Sequence, residues 1–164
     1  PGAQGANVST SHDVLTGART GQHVVIIDTQ GTPPGCVVAE VLADQGKRVE
    51  IVTGLNWVGS DIPGPVWHHL YERLLGKGVV MSPMTGVSQI GEDFVDVYHV
   101  VNTSVARTIQ SVDTVVMAAG GQANDGLYNS LAGRVDELYV IGDSAQPRNI
   151  EMAPYQAHKV AVEL

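Results

Sequence analysis

The pattern of apolar and polar residues predicts a parallel β-sheet that begins close to residue 23. Val24–Ile27 is a continuous β-branched run, which is typical of a strand buried on both faces. A turn rich in Gly and Pro follows at 28–35, and apolar residues then recur at helical spacing over 37–42. A second short strand predicted at 48–53 completes a strand–turn–helix–strand order. This order predicts a βαβ unit with two parallel strands and a right-handed crossover.

The rest of the chain carries further helix and strand patterns. In chain order they predict a helix at 65–75, a strand at 79–81, a small antiparallel meander over 85–109, a buried strand at 112–119, a short helix at 127–131, a buried strand at 138–141 and a closing helix at 150–164. We expect the strand at 138–141 to lie in the same parallel sheet as the crossover unit. The predicted fold class is α/β, a Rossmann-like three-layer parallel sheet with a small antiparallel β-meander.

Length, charge and cysteine content narrow the class of protein. The 164 residues are enough for one ordinary domain with a buried core. The formal net charge of −8 argues against nucleic acid as the main partner. No stretch approaches the roughly 20 apolar residues of a membrane span, so no membrane partner is expected. The single cysteine, Cys36, excludes an internal disulfide and a cysteine-ligated metal cluster within the chain, which favours a cytoplasmic location.

The turn at 28–35 is a candidate dinucleotide site. At such a turn, free backbone N–H groups and the positive end of a helix face the pyrophosphate. A Gly-x-Gly-x-x-Gly motif that ends on Gly35 would need glycines at the positions of Gln30 and Thr32. Gly31 lies one position out of register, so only the third glycine of the motif is present. The motif is therefore incomplete at this turn.

Three further residues weaken the nucleotide chemistry of this turn. Pro33 and Pro34 have no N–H groups to offer to a phosphate. Thr53 stands at the end of the second strand, where an acidic side chain would bind a ribose hydroxyl. Two interpretations stay open. Either Gly31, Gly35 and Thr53 contact a nucleotide, or the βαβ unit is a structural scaffold.

A second candidate site follows the predicted strand at 138–141. This strand ends in Gly142-Asp143, and a helix begins near Ala153. The arrangement would place a carboxylate and a helix N-terminus at the carboxyl edge of a sheet. Asp143 would accept a hydrogen bond from a ribityl or ribose hydroxyl, and a phosphate would lie near the helix start. Gly-Asp is also a common dipeptide in ordinary turns, so a purely structural interpretation stays open.

A third segment, Val115–Gly120, ends a strand with a glycine that permits close backbone approach. Together with the segments above, the order and spacing of a larger set of residues form one pattern: Val24–Asp28 with Gly31, Ala39, Glu40, Leu42 and Gly46, Val49–Thr53, Val115–Gly120, Tyr139–Asp143, Pro147, Arg148, Ile150, Ala153 and His158. On these residues, the chain from Val24 to Leu164 resembles the C-terminal nucleotide-binding region of NADH:flavin oxidoreductases of the trimethylamine dehydrogenase and 2,4-dienoyl-CoA reductase family.

The resemblance implies a piece of a multidomain enzyme, and the helical pattern that runs to the last residue also favours a fragment or a processed chain. Residues 1–22 would be a connecting arm, 23–117 an NAD(P)H-domain-like Rossmann unit, and 118–164 the returning part of an FAD- or ADP-binding domain. FMN and a 4Fe–4S cluster are expected only on a barrel domain outside this chain. The implied partners are that barrel domain and a nucleotide cofactor. The isolated chain is expected to catalyse no reaction.

The resemblance implies FAD or ADP as the cofactor, with NAD(P)H as a further candidate. The proposed cofactor-binding residues are Gly31, Gly35, Thr53, Gly120, Gly142, Asp143 and Ala153. Arg148 either neutralises a phosphate or faces solvent. The alternative is a degenerate Rossmann module that binds no nucleotide and serves for structure or interaction. A free-standing flavodoxin-like or response-regulator-like domain is disfavoured, because neither a phosphate-binding Ser/Thr loop nor an acidic phosphoacceptor cluster occurs.

Other reactive side chains point to no catalytic site. The histidines form no pair at metal-ligand spacing, so no metal site is predicted. Cys36 lies in the first turn of a helix, which favours a thiolate, but its apolar neighbours Val37 and Val38 favour a buried, inert thiol. No nucleophile or acid–base pair stands out.

Overall fold

The computed structural model describes residues 1–164, which divide into two units. Unit 1 comprises residues 1–119 and unit 2 comprises residues 120–164. The elements of unit 1 are β1 Val8–Thr10, α1 Ser11–Leu15, β2 His23–Asp28, α2 Pro33–Asp44, β3 Arg48–Thr53, α3 Gly64–Gly76, β4 Val80–Ser82, β5 Thr85–Ile90, β6 Phe94–His99, β7 Ala106–Gln110 and β8 Thr114–Ala118.

Unit 1 is built on a parallel sheet of five strands in the order β1-β8-β2-β3-β4. β2 pairs with β3 in parallel, with Val24 opposite Val49, so the predicted crossover unit is present. β5, β6 and β7 form a separate antiparallel sheet, which is the predicted meander. The predicted α/β class, a parallel sheet with a small antiparallel meander, is confirmed.

Apolar side chains cover both faces of the parallel sheet. On one face, Ile26 and Ile51 pack with Leu42 of α2 and Leu74 of α3. On the other face, residues of β2, β3 and β8 pack against the meander through Val25, Val52, Val115, Ile90, Val95, Val97 and Ile109. This double burial explains the continuous apolar run at Val24–Ile27 in β2. Unit 1 thus has three layers: helices, parallel sheet and meander.

A buried carboxylate ties the meander to the parallel sheet. Glu50 of β3 is only 7% exposed, and it accepts a hydrogen bond of 2.6 Å from the Ser82 hydroxyl of β4. Arg107 of β7 pairs with the same carboxylate and donates to Ser82 Oγ at 3.0 Å. The ion pair satisfies a charge that would otherwise be costly to bury.

Residues 1–22, predicted as a connecting arm, contribute a strand and a helix to unit 1. Val8–Thr10 form the edge strand β1, which pairs in parallel with β8, and α1 follows at once. A capping box between Thr10 and Asp13 starts this helix. The strand has only three residues, so it shows no periodicity that sequence reasoning can detect.

Unit 2 contains α4 Gly126–Leu131, a short 3₁₀ turn at Gly142–Ser144 and α5 Met152–Glu163. The helix predictions at 127–131 and 150–164 are confirmed. The strand predicted at 138–141 is wrong, since these residues form no strand and belong to neither sheet. A strand needs a neighbouring backbone to satisfy its N–H and C=O groups, and unit 2 contains no other strand.

Candidate functional site

The turn after β2 lies at the topological switch point of the parallel sheet. β3 lies on one side of β2 and β8 on the other, and Asp28 is in register with Ala118 at their carboxyl ends. Ligands of open α/β sheets bind in the crevice at this point. Here the Thr29 N–H donates to the Ala118 carbonyl at 3.3 Å, which extends the pairing of the two strands by one further bond.

Asp28 is a buried carboxyl group that binds its own loop. Its Oδ1 atom accepts hydrogen bonds from the N–H groups of Gln30 at 3.1 Å and Gly31 at 2.9 Å. The residue is 1% exposed, and its Oδ2 atom is buried without a hydrogen-bond partner. Burial raises the pKa of Asp28 above its usual value, and the bonds from Gly31 and Gln30 oppose this effect. Sequence reasoning assigned Asp28 no role, although an Asp that precedes free loop N–H groups is a known turn signal.

The two glycines of this turn contact the protein itself. Gly31 has φ of +69°, and a Cβ there would lie 2.3 Å from Ser60 Oγ. The Gly31 carbonyl also accepts a bond of 3.0 Å from the Asp61 N–H. A Cβ on Gly35 would lie 3.4 Å from both Asp28 Cβ and Ala118 Cβ. Gly35 therefore serves close packing of a helix on strands, which is the role of the third glycine of the motif.

The first turn of α2 offers few donors. Pro33 and Pro34 occupy its first two positions, and Thr32 makes no side-chain capping bond. Cys36 in the same turn is 2% exposed. Burial, assisted by the nearby charge of Asp28, raises the pKa of the Cys36 thiol to about 12. The thiol therefore stays protonated, and the prediction of a buried, inert cysteine is confirmed.

A cleft of about 280 Å³ opens beside the carboxyl ends of β2 and β3. Hydroxyl groups of Thr29, Thr53, Thr85 and Tyr98 belong to its lining residues, and no Lys, Arg or His lines it. Thr53 is 1% exposed, and its Oγ1 accepts a bond of 3.2 Å from the Leu55 N–H. The end of β3 therefore presents a buried hydroxyl, which accepts a bond from its own loop, where a carboxylate would bind ribose.

In unit 2, the Gly142-Asp143 turn is fixed from within the unit. Gly142 has φ of +63°, and its N–H donates to Gln156 Oε1 of α5 at 2.7 Å. The Gly142 carbonyl accepts bonds of 3.0 Å from Ala145 and Gln146. Asp143 is exposed, and the nearest donor recorded for its carboxylate is the Arg148 N–H at 3.4 Å. The Asp143 carboxylate is thus largely free to accept a further bond.

The start of α5 lies beside this turn. A Cβ on Gly142 would lie 3.6 Å from Ala153 Cβ, so the structure brings Gly142, Asp143 and Ala153 together. The Met152 N–H donates to Asn149 Oδ1 at 3.1 Å, whereas the Ala153 N–H finds no acceptor in the chain. The Arg148 guanidinium bonds Gln146 Oε1 at 2.5 Å.

The remaining predicted residue, Gly120, is the first residue of unit 2, where it is exposed with φ of +79°. Gly31, Gly35 and Thr53 all lie at the carboxyl edge of the sheet in unit 1. No group of three or more His, Cys, Asp or Glu side chains is arranged to hold a metal ion. No helix combines the length and apolar character needed to cross a membrane.

Several known proteins are similar to this chain. A metal reductase from Desulforamulus reducens is 27% identical over an alignment that covers 99% of this chain and 28% of that protein. A cinnamate reductase from Clostridium sporogenes is 29% identical, with 94% of this chain and 23% of that protein covered. The structure of histamine dehydrogenase from Rhizobium sp. 4-9 matches with a TM-score of 0.86 and 29% identity, over 96% of this chain and 26% of that chain. No family model matches.

The chain spans about a quarter of the length of the curated relatives that it matches. By name, these relatives are reductases and dehydrogenases, hence oxidoreductases. The matches confirm the family resemblance that the sequence predicted.

Proposed function

We propose that this chain positions a cofactor within a flavin-dependent oxidoreductase, as its resemblance to the C-terminal region of the trimethylamine dehydrogenase and 2,4-dienoyl-CoA reductase family implies. Unit 2 binds a nucleotide of the FAD or ADP type at Gly142, Asp143 and Ala153. The redox chemistry belongs to the cofactors of the parent enzyme, and the chain itself supplies binding and orientation.

The observation that carries this proposal is the uncommitted Asp143 carboxylate beside the start of α5. Gln156 holds the Gly142 N–H at 2.7 Å, so the turn is fixed and Asp143 projects from an ordered backbone. A ribose or ribityl hydroxyl is the donor that such a carboxylate accepts. The Ala153 N–H, without an acceptor in the chain, provides a donor for a phosphate oxygen at the positive end of a helix. The residues present therefore fit this kind of group.

The division into domains forms part of the proposal. We infer that residues 118–164 return to an FAD- or ADP-binding domain whose other part lies elsewhere in the parent enzyme. The segment Leu138–Ile141 supports this, because it is apolar but forms no strand, and no residue of unit 2 is buried. An apolar segment of this kind is expected to pair with a strand that unit 2 does not contain. FMN and a 4Fe–4S cluster are expected on a barrel domain of the cytoplasmic parent enzyme.

Calorimetric titration of the enzyme that carries this chain tests the proposal, with ADP, FAD, NADH and NADPH as ligands. We expect ADP or FAD to bind. Asp143→Asn should weaken binding by about ten- to a hundredfold, because a hydrogen bond to a charged group is worth about 1.5–3 kcal/mol. Asp136→Asn is the matched control, since Asp136 is an exposed carboxylate of the same unit. If Asp143→Asn binds ADP and FAD as tightly as the wild type does, the assignment of Asp143 is wrong.

A second function, a structural module that binds no nucleotide, is favoured for unit 1. Pro33 and Pro34 remove two N–H groups from the helix start at which a dinucleotide would place its phosphates. Under this proposal the residues 23–117 keep the architecture of an NAD(P)H domain without its ligand. In the same titration with NADH and NADPH, substitution of Gly31, Gly35 or Thr53 should then leave the measured heat of binding unchanged.

A further inference from the structure

We propose that Asp28 excludes phosphate groups from the turn after β2 in unit 1, because its carboxyl group occupies the place of a dinucleotide phosphate. The inference rests on the proposed role of unit 1 as a module without a nucleotide. It does not depend on the proposed nucleotide site in unit 2.

The first step concerns the donors in the loop. A phosphate at a βα turn is bound by backbone N–H groups that converge on one point. In this turn the N–H groups of Gln30 and Gly31 converge on Asp28 Oδ1, at 3.1 and 2.9 Å. The carboxyl oxygen therefore fills the position that a phosphate oxygen would take.

The second step concerns the space around the carboxyl group. Asp28 is 1% exposed and packs against the first turn of α2, where Gly35 leaves room for its Cγ atom. Asp28 Oδ2 is buried and makes no hydrogen bond. An arriving phosphate would therefore meet carboxyl oxygen lone pairs at the point on which the Gln30 and Gly31 N–H groups converge. Acceptor facing acceptor is repulsive, and the repulsion is strongest in a site from which water is excluded.

The third step separates Asp28 from the two prolines. Pro33 and Pro34 remove donors only at the start of α2, whereas Asp28 engages the donors of the preceding loop. Restoring N–H groups at 33 and 34 would leave the Asp28 oxygens in place. Removing the carboxyl group is therefore required before a phosphate can bind.

The test uses the ¹⁵N-labelled 164-residue chain, titrated with ADP and with inorganic pyrophosphate. The amide signals of Gln30 and Gly31 report on unit 1, and those of Gly142 and Asp143 report on unit 2. Failure of this inference and failure of the proposed function thus appear at different residues. Three variants are compared: P33A/P34A, D28A/P33A/P34A and, as a matched loss of an acidic residue from a neighbouring loop, D61A/P33A/P34A.

We expect wild type, P33A/P34A and D61A/P33A/P34A to show no change at Gln30 and Gly31. D28A/P33A/P34A should bind pyrophosphate at least tenfold more tightly than P33A/P34A, with shifts at both amides. The inference is overturned if P33A/P34A alone gains the same affinity, or if a folded D28A/P33A/P34A gains none. Should that variant fail to fold, P33A/P34A still decides, since shifts of Gln30 and Gly31 on addition of pyrophosphate to it would contradict the inference and their absence would support it.

Discussion

The two units of this chain differ most in what their apolar residues contact. In unit 1, every residue of β2 is buried, because α2 and α3 cover one face of the sheet and the meander covers the other. In unit 2, no residue is buried, although Leu138–Ile141 is as apolar as a core strand. The helices of unit 2 still form, because their backbone hydrogen bonds are internal. An apolar pattern thus yields a strand only where the chain provides a partner.

The same contrast separates the two candidate sites. Each places an aspartate in a turn before a helix. Asp28 is 1% exposed and accepts two loop N–H groups, whereas Asp143 is exposed with a single weak donor at 3.4 Å. The buried carboxyl group is part of the structure, and the exposed one is available to a ligand. Burial and existing bonds, more than residue type, therefore distinguish the two turns.

The largest expected effect contrasts a core leucine with a surface leucine. Leu74 of α3 is 0% exposed, and Leu127 of α4 is 73% exposed. Leu74→Ala should lower the free energy of unfolding by about 2–5 kcal/mol through lost burial and a cavity. Leu127→Ala should change it by less than about 0.5 kcal/mol. Urea unfolding followed by tryptophan fluorescence measures the first effect, because Trp57 and Trp67 both lie in unit 1; circular dichroism follows the second. Equal losses would contradict the contrast.

Two glycines with positive φ provide the next comparison. Gly31 has φ of +69° and Gly133 has φ of +74°, but only Gly31 has a neighbour where a Cβ would lie. Both Ala variants incur a backbone cost of about 1–2 kcal/mol. For Gly31→Ala, the free energy of unfolding should fall by roughly a further 1–3 kcal/mol, because the new Cβ would clash with Ser60. Thermal unfolding followed by circular dichroism compares the two variants. If Gly133→Ala is less stable than Gly31→Ala, the predicted clash between residue 31 and Ser60 is wrong.

The pH dependence of stability tests the burial of Asp28. Burial raises its pKa in the folded state, so the folded protein binds this proton more tightly than the unfolded chain does. The resulting stability is present below the unfolded pKa and is lost as the pH rises through the folded pKa. Asp28→Asn should therefore lose less stability than the wild type between acidic and neutral pH. Urea midpoints at several pH values measure this difference, and parallel curves would show that the carboxyl is not desolvated.

The smallest effect concerns an ion-pair network that unit 2 lacks. Glu40 of α2 bonds Arg73 of α3 at 2.7 Å and Lys77 at 3.1 Å. The bond from Arg73 is the main reason why the pKa of Glu40 falls from 4.5 to about 2. The contribution of the Glu40 ion pairs to the free energy of unfolding is present above about pH 4.5 and is lost as the pH falls through about 2. Glu40→Gln should lower stability at neutral pH by about 1 kcal/mol or less, because these groups are partly exposed.

Salt is the control for this last prediction. The difference between wild type and Glu40→Gln should shrink in about 1 M NaCl, since the Debye length is then only about 3 Å. A difference that is independent of salt would mean that Glu40 acts through packing and not through charge.

Most of unit 1 could be predicted from local pattern. The β-branched run at Val24–Ile27 and the alternation over 85–109 identify a buried strand and a meander, because double burial and half burial leave different periodicities. β1 escaped prediction, since Val8–Thr10 becomes a strand only through its pairing with β8. The strand expected at 138–141 failed for the opposite reason, because the pattern is present and the partner is not.

The candidate sites were predictable only in part. The turn at Gly142-Asp143 and its closeness to Ala153 follow from a short sequence separation. The contact of Gly31 with Ser60 depends on the path of a loop that comes after β3, which no local pattern specifies. The hydrogen bonds of Asp28 reach N–H groups only two and three positions along the chain. An Asp that precedes free loop N–H groups is therefore the sequence signal from which these bonds could be predicted.

Hydrogen exchange of the enzyme that carries this chain, measured by mass spectrometry with and without ADP, tests the central claim most directly. The claim is that unit 2 binds the nucleotide and unit 1 does not. We expect ADP to slow exchange in peptides that cover 140–156 and to leave those covering 28–36 unchanged. Protection at 28–36 without protection at 140–156 would contradict the account.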